Sequence, residues 1–246
     1  MGRLVILSGP SCVGKGPLCA ALAKFRPELS GALQTLVLFN SRAPRPGERD
    51  GVDYHFRPRS EIEALRGRNG FIVLEVRGDL QALNLEDLKT ILARGEAFFE
   101  GNPFVGRALL EVPELASVEK LSAFLSPLSR EEILYLKAPE RRVSLEEFVA
   151  DLMRRKLLRR TQRQKGILSL EDLENIEKRA RSAYFELKEA WHFAHVIPNH
   201  DGEDSENWDA FYYPVGDARR AFCAFAELLS GRIPEGVERW EKGLIP

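Results

Sequence analysis

The sequence has no hydrophobic run of membrane-spanning length and very few cysteines. A transmembrane helix needs about 20 consecutive apolar residues, and no apolar run in the 246 residues approaches that length. The three cysteines (Cys12, Cys19 and Cys223) are too few for a disulfide framework. We therefore expect a cytoplasmic protein in a reducing environment, with no membrane partner.

Neither sign of charge is in excess. The chain has 36 Lys and Arg against 37 Asp and Glu, a formal net charge of −1. This balance excludes a generally basic nucleic-acid-binding surface but allows a local basic patch. Hydrophobic residues make up 44% of the chain and charged residues 30%. Such a composition excludes wholesale disorder and suits a folded core.

Short apolar segments alternate with amphipathic ones along the chain. We predict strands at residues 4–8, 36–39, 71–76, 96–100, 122–125 and 195–198. Helices are predicted at residues 17–24, 60–65, 85–94, 129–136, 144–160, 170–194 and 216–229. The helix at 60–65 would begin with a capping box from Ser60 to Glu63. The alternation predicts one domain over residues 1–246, a three-layer α/β/α fold with a mostly parallel sheet.

A glycine-rich loop lies between the first predicted strand and helix. It matches the first seven positions of G-x-x-x-x-G-K-[ST], and its candidate residues are Gly9, Pro10, Ser11, Cys12, Val13, Gly14, Lys15 and Gly16. In such a loop the backbone N–H groups converge on phosphate oxygens, and the lysine neutralises the β- and γ-phosphates. The alternative is an ordinary glycine-rich turn that contains a lysine. Gly16 stands where Ser or Thr would hold Mg²⁺, so the metal ligands stay unknown.

An arginine-rich segment follows at residues 41–56. Arg42 and Arg45 have the planar guanidinium groups that bind one phosphate in a forked geometry, and Tyr54 can add a hydroxyl. These residues form a candidate anion clamp. A solvated surface loop is the alternative from composition alone.

Together, the phosphate loop and this segment resemble the guanylate kinase family. The family pattern is a Ser/Thr-Arg-x-Pro-Arg-x-Gly-Glu run followed by Gly-x-Asp-Tyr-x-Phe, and here it begins at Ser41. The resemblance covers roughly residues 3–230 and is strongest over the first 56. It implies a P-loop fold with an acceptor-binding insertion at 38–83, an enlarged lid at 137–170 and, beyond it, a tail at 231–246. It also implies ATP and Mg²⁺ as cofactors and nucleotides as partners. Arg42, Arg45 and Tyr54 would hold the acceptor phosphate, and Ser41 would belong to the same acceptor-binding site.

The base pocket departs from the family pattern. A family tyrosine and hydroxyl are absent from residues 78–83. Glu75 is a candidate for the family's strand glutamate, and Glu100 and Asn102 correspond to its acidic pair. Because one carboxylate has become an amide, guanine specificity does not follow from the resemblance.

A basic run at residues 154–165 has seven basic residues in twelve and no acid. By resemblance, Arg160 or Arg163 is the catalytic lid arginine, and Arg179 joins it from a later helix. Cations placed around the γ-phosphoryl group are the main catalytic device of phosphoryl transfer. A solvated helix face and a local nucleic-acid patch are the alternatives, although the run lacks interleaved aromatic residues.

The sequence therefore predicts an ATP-dependent nucleoside monophosphate kinase of the guanylate kinase type, with GMP as the first candidate acceptor. One alternative is a related module that binds but no longer catalyses, which the loss of the P-loop hydroxyl favours. Another is a kinase for a different phosphorylated small molecule. The oligomeric state is left open.

Overall fold

The computed structural model describes residues 2–45 and 47–246. Within them the strands are β1 (Leu4–Ser8), β2 (Leu33–Thr35), β3 (Phe39–Asn40), β4 (His55–Phe56), β5 (Phe71–Val76), β6 (Asp79–Asn84), β7 (Glu96–Gly101), β8 (Lys120–Ser126) and β9 (His195–Pro198). The α-helices are α1 (Lys15–Phe25), α2 (Pro27–Ser30), α3 (Arg59–Glu63), α4 (Leu85–Arg94), α5 (Pro103–Glu111), α6 (Arg130–Lys137), α7 (Leu145–Lys165), α8 (Leu170–Leu187) and α9 (Gly216–Leu229). Elements β1, β5, β9, α4 and α9 have the predicted bounds, whereas β6 and α5 were not predicted.

The main sheet has five parallel strands in the order β2-β7-β1-β8-β9. All five residues of the central strand β1 are buried, as expected for a strand covered on both faces. Alternate residues of β1 enter two different hydrophobic clusters: Val5 packs with residues of α1 and α9, and Ile6 with residues of α5, α7 and α8. The predicted three-layer fold with a mostly parallel sheet is confirmed.

A smaller four-stranded sheet has the order β4-β3-β6-β5. It lies within the segment predicted to form the acceptor-binding insertion. The strand predicted at residues 36–39 is wrong, because β2 ends at Thr35 in the main sheet and β3 begins at Phe39 in the small one. Leu36 and Leu38 between them are buried in the main core, so the apolar run marks a crossing between two sheets.

Helices α7 and α8 pack against each other as an antiparallel hairpin, which we call the lid hairpin (residues 145–187). The predicted end of this helix at residue 160 is too early, because α7 continues to Lys165 and ends before Gly166, whose φ is +74°. Ser169 then begins α8 with a capping box to Asp172.

The helix starts show one capping box that was not predicted and one predicted box that does not form. Ser129 caps α6 with a capping box to Glu132. The box predicted at Ser60 is wrong, since α3 begins one residue earlier and Pro58 occupies the N-cap position. Ser60 therefore lies inside the first turn.

The C-terminal tail packs on the body of the protein. Trp240, Leu244 and Ile245 are buried in the main core, and Glu238 forms two backbone hydrogen bonds of 2.8 Å with Val196 of β9. Among the described helices, none is both long and apolar enough to cross a membrane.

Candidate active site

The phosphate loop joins the carboxyl end of β1 to the start of α1. Gly9 has a φ of +152°, and a Cβ there would lie 2.4 Å from the Leu125 carbonyl oxygen. Gly14 has a φ of +104°, and a Cβ there would lie 2.7 Å from Nδ2 of Asn199. Only glycine suits these two positions, so the motif's glycines have a structural cause here.

Lys15 is the first residue of α1, and its side chain is buried at the loop. Its Nζ donates hydrogen bonds of 2.9 Å to the carbonyl oxygens of Gly9 and Pro10. The ammonium is thereby held beside the loop, next to the partial positive charge of the helix N-terminus. Burial raises the pKa of the neighbouring Cys12 thiol to about 12, so Cys12 is a neutral filler of the loop.

Arginines from separate parts of the chain lie near this loop. Arg179 of α8 donates from Nε to Ser11 Oγ at 3.1 Å. Burial lowers the pKa of Arg179 well below its usual value, and the charges of Arg160, Arg45 and Arg77 lower it further. Guanidinium groups that repel each other in a desolvated place favour a bound polyanion.

The structure separates the two lid candidates. Arg160 is mostly buried, with 15% of its side chain exposed, and is paired with Glu203 near the phosphate loop. Arg163, one helical turn further on, is 45% exposed and pairs with Glu206 at 2.6 Å. Only Arg160 joins Lys15 and Arg179.

Lys15, Arg160 and Arg179 form one cationic group at the phosphate loop, and the arginine-rich segment forms a second one on the small sheet. Both terminal nitrogens of Arg42 bond to the Glu48 carboxylate at 2.6 Å. The Arg42 guanidinium lies 5.2 Å from the ring centroid of Tyr54. The backbone N of Arg45 also donates to Glu48, at 2.7 Å, while its side chain is exposed. Ser41 Oγ accepts from the Leu80 N–H at 2.8 Å, which fixes the start of the segment.

Glu100 lies one residue before the end of β7 and beside the phosphate loop, because parallel pairing sets it opposite Leu7 of β1. Glu100 is exposed in the open cleft. Partial desolvation there raises the pKa of its carboxyl, Lys15 opposes the rise and Glu203 adds to it. The charge of Glu100 also helps to raise the pKa of Tyr54, after burial. Glu100 therefore faces both cationic groups.

Glu75 is not brought to this cleft. It pairs in register with Leu80, and Leu80 packs against Ile62 of α3. Paired residues share a face of a sheet, so Glu75 lies on the outer, α3 face. There it is 60% exposed and 3.7 Å from Arg59. The expectation that Glu75 contacts the acceptor is therefore wrong, and the reason is strand alternation.

Asn102 has a structural role in addition to its place at the cleft. Its Oδ1 accepts from the Phe104 N–H at 2.9 Å and caps α5. Its Nδ2 donates at 3.0 Å to the fully buried carboxylate of Glu186, which also binds Arg77 and Ser182. This network joins the small sheet, β7 and α8.

Sequence reasoning missed three polar residues that the fold brings to the site. Arg77, in the turn between β5 and β6, adds a guanidinium near Arg179. Gln81 is buried on the inner face of the small sheet, paired with Asn40. Glu203 lies in the long connection after β9. Because β6 was not predicted, the sequence did not place Arg77 in a hairpin turn.

Comparisons with known proteins agree with this geometry. The guanylate kinase family model matches residues 1–99. A guanylate kinase of Chlorobaculum tepidum is 35% identical over 134 residues, which are 54% of this chain and 65% of that protein. A guanylate kinase of Shewanella oneidensis is 33% identical over 54% of this chain and 61% of its own length. These matches thus span less than two thirds of the relatives.

Two further comparisons span nearly the whole chain. A guanylate kinase of Bartonella henselae is 26% identical over 239 residues, which are 96% of this chain and 92% of that protein. The crystal structure of guanylate kinase from Anaplasma phagocytophilum superposes with a TM-score of 0.54 at 19% identity, covering 94% of this chain and 85% of that one. The family model and these relatives support the resemblance to guanylate kinases that the two motifs indicate, and the superposition supports the same fold.

Proposed function

We propose that the protein is an ATP-dependent nucleoside monophosphate kinase, with GMP as the first candidate acceptor. The observation that supports this most is the meeting of the lid hairpin with the phosphate loop, where Arg179 bonds Ser11 at 3.1 Å beside Arg160 and Lys15. A separate clamp on the small sheet, Arg42 and Arg45, provides a place for a second phosphate. Two cationic groups that face one cleft suit transfer between two phosphorylated molecules.

In this mechanism an acceptor phosphate oxygen attacks the γ-phosphorus of ATP. The bond from that phosphorus to the β–γ bridging oxygen breaks, and ADP leaves with the electron pair. The acceptor oxygen is already anionic, so no general base is required. Lys15, Arg160 and Arg179 neutralise charge on the transferring group, and Arg42, Arg45 and Tyr54 orient the acceptor phosphate.

The residues around the phosphate loop offer few protein ligands for Mg²⁺. Gly16 offers no hydroxyl, and the described residues contain no group of three or more His, Cys, Asp or Glu arranged to hold a metal. Glu100 is the carboxylate beside Lys15. Mg²⁺ commonly keeps several waters and binds one or two carboxylates with phosphate oxygens, so Glu100 would hold it with ATP and water. When bound, Mg²⁺ would neutralise the β- and γ-phosphates.

The basic run of α7 favours a lid over a nucleic-acid surface. Arg154 pairs with Glu177 of α8 at 2.7 Å, and Arg160 and Arg163 pair with Glu203 and Glu206. Charges matched within the fold do not provide a free basic patch for a phosphate backbone. We propose small nucleotides as the partners and the cytoplasm as the location.

A kinase for another phosphorylated acceptor is the second candidate. It is favoured by the residues on the side of the cleft where the base of a nucleotide would bind. Glu75 faces away, Asn102 is held by Glu186, and the inner face presents Gln81. A coupled ADP-release assay with MgATP and GMP, dGMP, AMP, CMP or UMP separates the possibilities. Turnover with GMP supports the proposal, and turnover with none of them contradicts it.

A further inference from the structure

The long connection between β9 and α9 contains a segment that rests on the phosphate loop. We call residues 199–208 the acidic loop. Asn199 Nδ2 donates to the Val13 carbonyl at 2.8 Å, and the Glu203 N–H donates to the Cys12 carbonyl at 3.3 Å. A Cβ at Gly202 would lie 2.3 Å from the Cys12 carbonyl oxygen. The two loops are therefore in direct backbone contact.

The acidic loop is also fixed from within. The Asp201 carboxylate accepts from Ser205 at 2.8 Å and from the Ala218 N–H at 2.9 Å, near the start of α9. Trp208 Nε1 donates to the Asp201 carbonyl at 2.9 Å, and its ring lies against Gly14. A loop with this many internal bonds holds its side chains in defined places.

Glu203 directs its carboxylate into the cationic group rather than into solvent. It forms an ion pair with Arg160, and only 20% of its side chain is exposed. Burial alone would raise the pKa of Glu203, but the charges of Arg160, Lys15 and Arg179 hold it below its usual value. The carboxylate is therefore ionised where it meets the lid hairpin.

Arg160 still has donor capacity beyond this ion pair. Its Nη1 binds Glu203, while its buried Nε has no hydrogen-bond partner among the described residues. A buried guanidinium N–H without an acceptor is costly. The Arg160 guanidinium is therefore held by the Glu203 carboxylate through Nη1, while its Nε–H can donate to a further anion.

We propose that Glu203 is a positioning residue that holds Arg160 over the phosphate loop for phosphoryl transfer. An arginine side chain has several rotatable bonds, and a fixed carboxylate keeps the Arg160 charge in one place before the reaction. The inference rests on the proposed function, since it assigns Arg160 to the transferring phosphoryl group. The rival role is a competitor, in which the Glu203 carboxylate occupies the place of an ATP phosphate.

The two roles predict opposite changes in ATP affinity when Glu203 is replaced by glutamine. If Glu203 positions Arg160, Glu203→Gln weakens ATP binding about threefold and lowers kcat about tenfold, because small misplacements of a catalytic group cost rate steeply. If Glu203 competes with phosphate, the same substitution tightens ATP binding. Titration calorimetry with ATP and the ADP-release assay give both quantities.

A double-mutant cycle with Arg160→Ala tests whether Glu203 acts through that arginine. The positioning role predicts that Glu203→Gln has no further effect on ATP binding or kcat once Arg160 is alanine. Equal losses in both backgrounds, or tighter ATP binding, would overturn the inference. Glu206→Gln is the matched control, because Glu206 pairs with the exposed Arg163, and it should leave both quantities unchanged.

The same experiment separates this inference from the proposed function. Wild-type protein that binds ATP but transfers phosphate to no monophosphate contradicts the function, while the binding cycle still decides the role of Glu203. Turnover with an additive cycle leaves the function standing and removes the inference. Absence of ATP binding to the wild-type protein would overturn both.

Discussion

At the scale of single residues, the site depends on where a few charges are fixed. Lys15 is held by two carbonyl oxygens, Arg179 by Ser11, and Arg42 by Glu48. Each cation therefore has a defined place set by the protein itself. Such preorganisation is the usual source of catalytic power in phosphoryl transfer.

We expect Lys15→Ala to lower kcat by about 10²-fold or more while the fold stays intact, because the lysine's charge acts on phosphate rather than in the apolar core. The ADP-release assay gives kcat, and circular dichroism reports the fold. Lys24→Ala, an exposed lysine of the same helix, is the control and should keep full activity. An unchanged kcat for folded Lys15→Ala would contradict the phosphate-loop assignment.

Gly16→Ser should lower the Mg²⁺ concentration needed for half-maximal activity. A Cβ at Gly16 would meet nothing within 4 Å among the described residues, so the hydroxyl can enter without a clash. The added oxygen would supply the ligand that the motif usually provides. Gly16→Ala controls for side-chain bulk, and the same gain with alanine would show that the hydroxyl is not the cause.

At the scale of elements, the lid hairpin is the decisive unit. Its helices are bounded by Gly166 and Ser169, but the full length of α7 was not predicted, although the residues at 162–165 favour a helix. Ion pairs between the two helices then set their alignment. Arg154 and Lys165 of α7 pair with Glu177 and Asp172 of α8 across the hairpin. Arg181 binds the same Glu177 carboxylate from within α8.

These two arginines lower the pKa of Glu177 to about 2. A carboxyl with a lowered pKa stabilises the fold above its ordinary pKa, and the contribution is lost as the pH falls towards 2. We expect wild-type protein to have a higher Tm than Glu177→Gln at pH 6, with the difference shrinking towards zero near pH 2. Thermal unfolding across that range measures it, and a constant difference would contradict the ion-pair account.

At the scale of the whole molecule, local patterns predicted the elements and tertiary contacts decided the site. The phosphate loop followed from residues 9–15, because motif, strand and helix are contiguous. The face of Glu75 depended on the register with β6, an unpredicted strand. The pairing of Glu203 with Arg160 joins residues 43 apart in sequence. No local pattern contains that information, so it required the fold.

The residues on the side of the cleft where the base would bind predict weak selectivity between GMP and AMP. Gln81 is an amide that can donate or accept, and Asn102 is engaged by Glu186. A dedicated hydrogen-bonding pocket can discriminate by roughly 10⁴-fold. We expect the kcat/KM ratio of GMP to AMP to be clearly smaller, as measured with both acceptors at matched MgATP. A ratio near that ceiling would mean that other residues form a guanine-specific pocket.

The most direct test of the account follows the phosphoryl group itself. The protein is incubated with Mg²⁺, GMP and ATP radiolabelled at the γ-phosphate, and the products are separated by chromatography. The account predicts label in the β-phosphate of GDP, one GDP for each ADP, and no label transfer by Lys15→Ala. Label found in inorganic phosphate alone, or left in ATP, would contradict it.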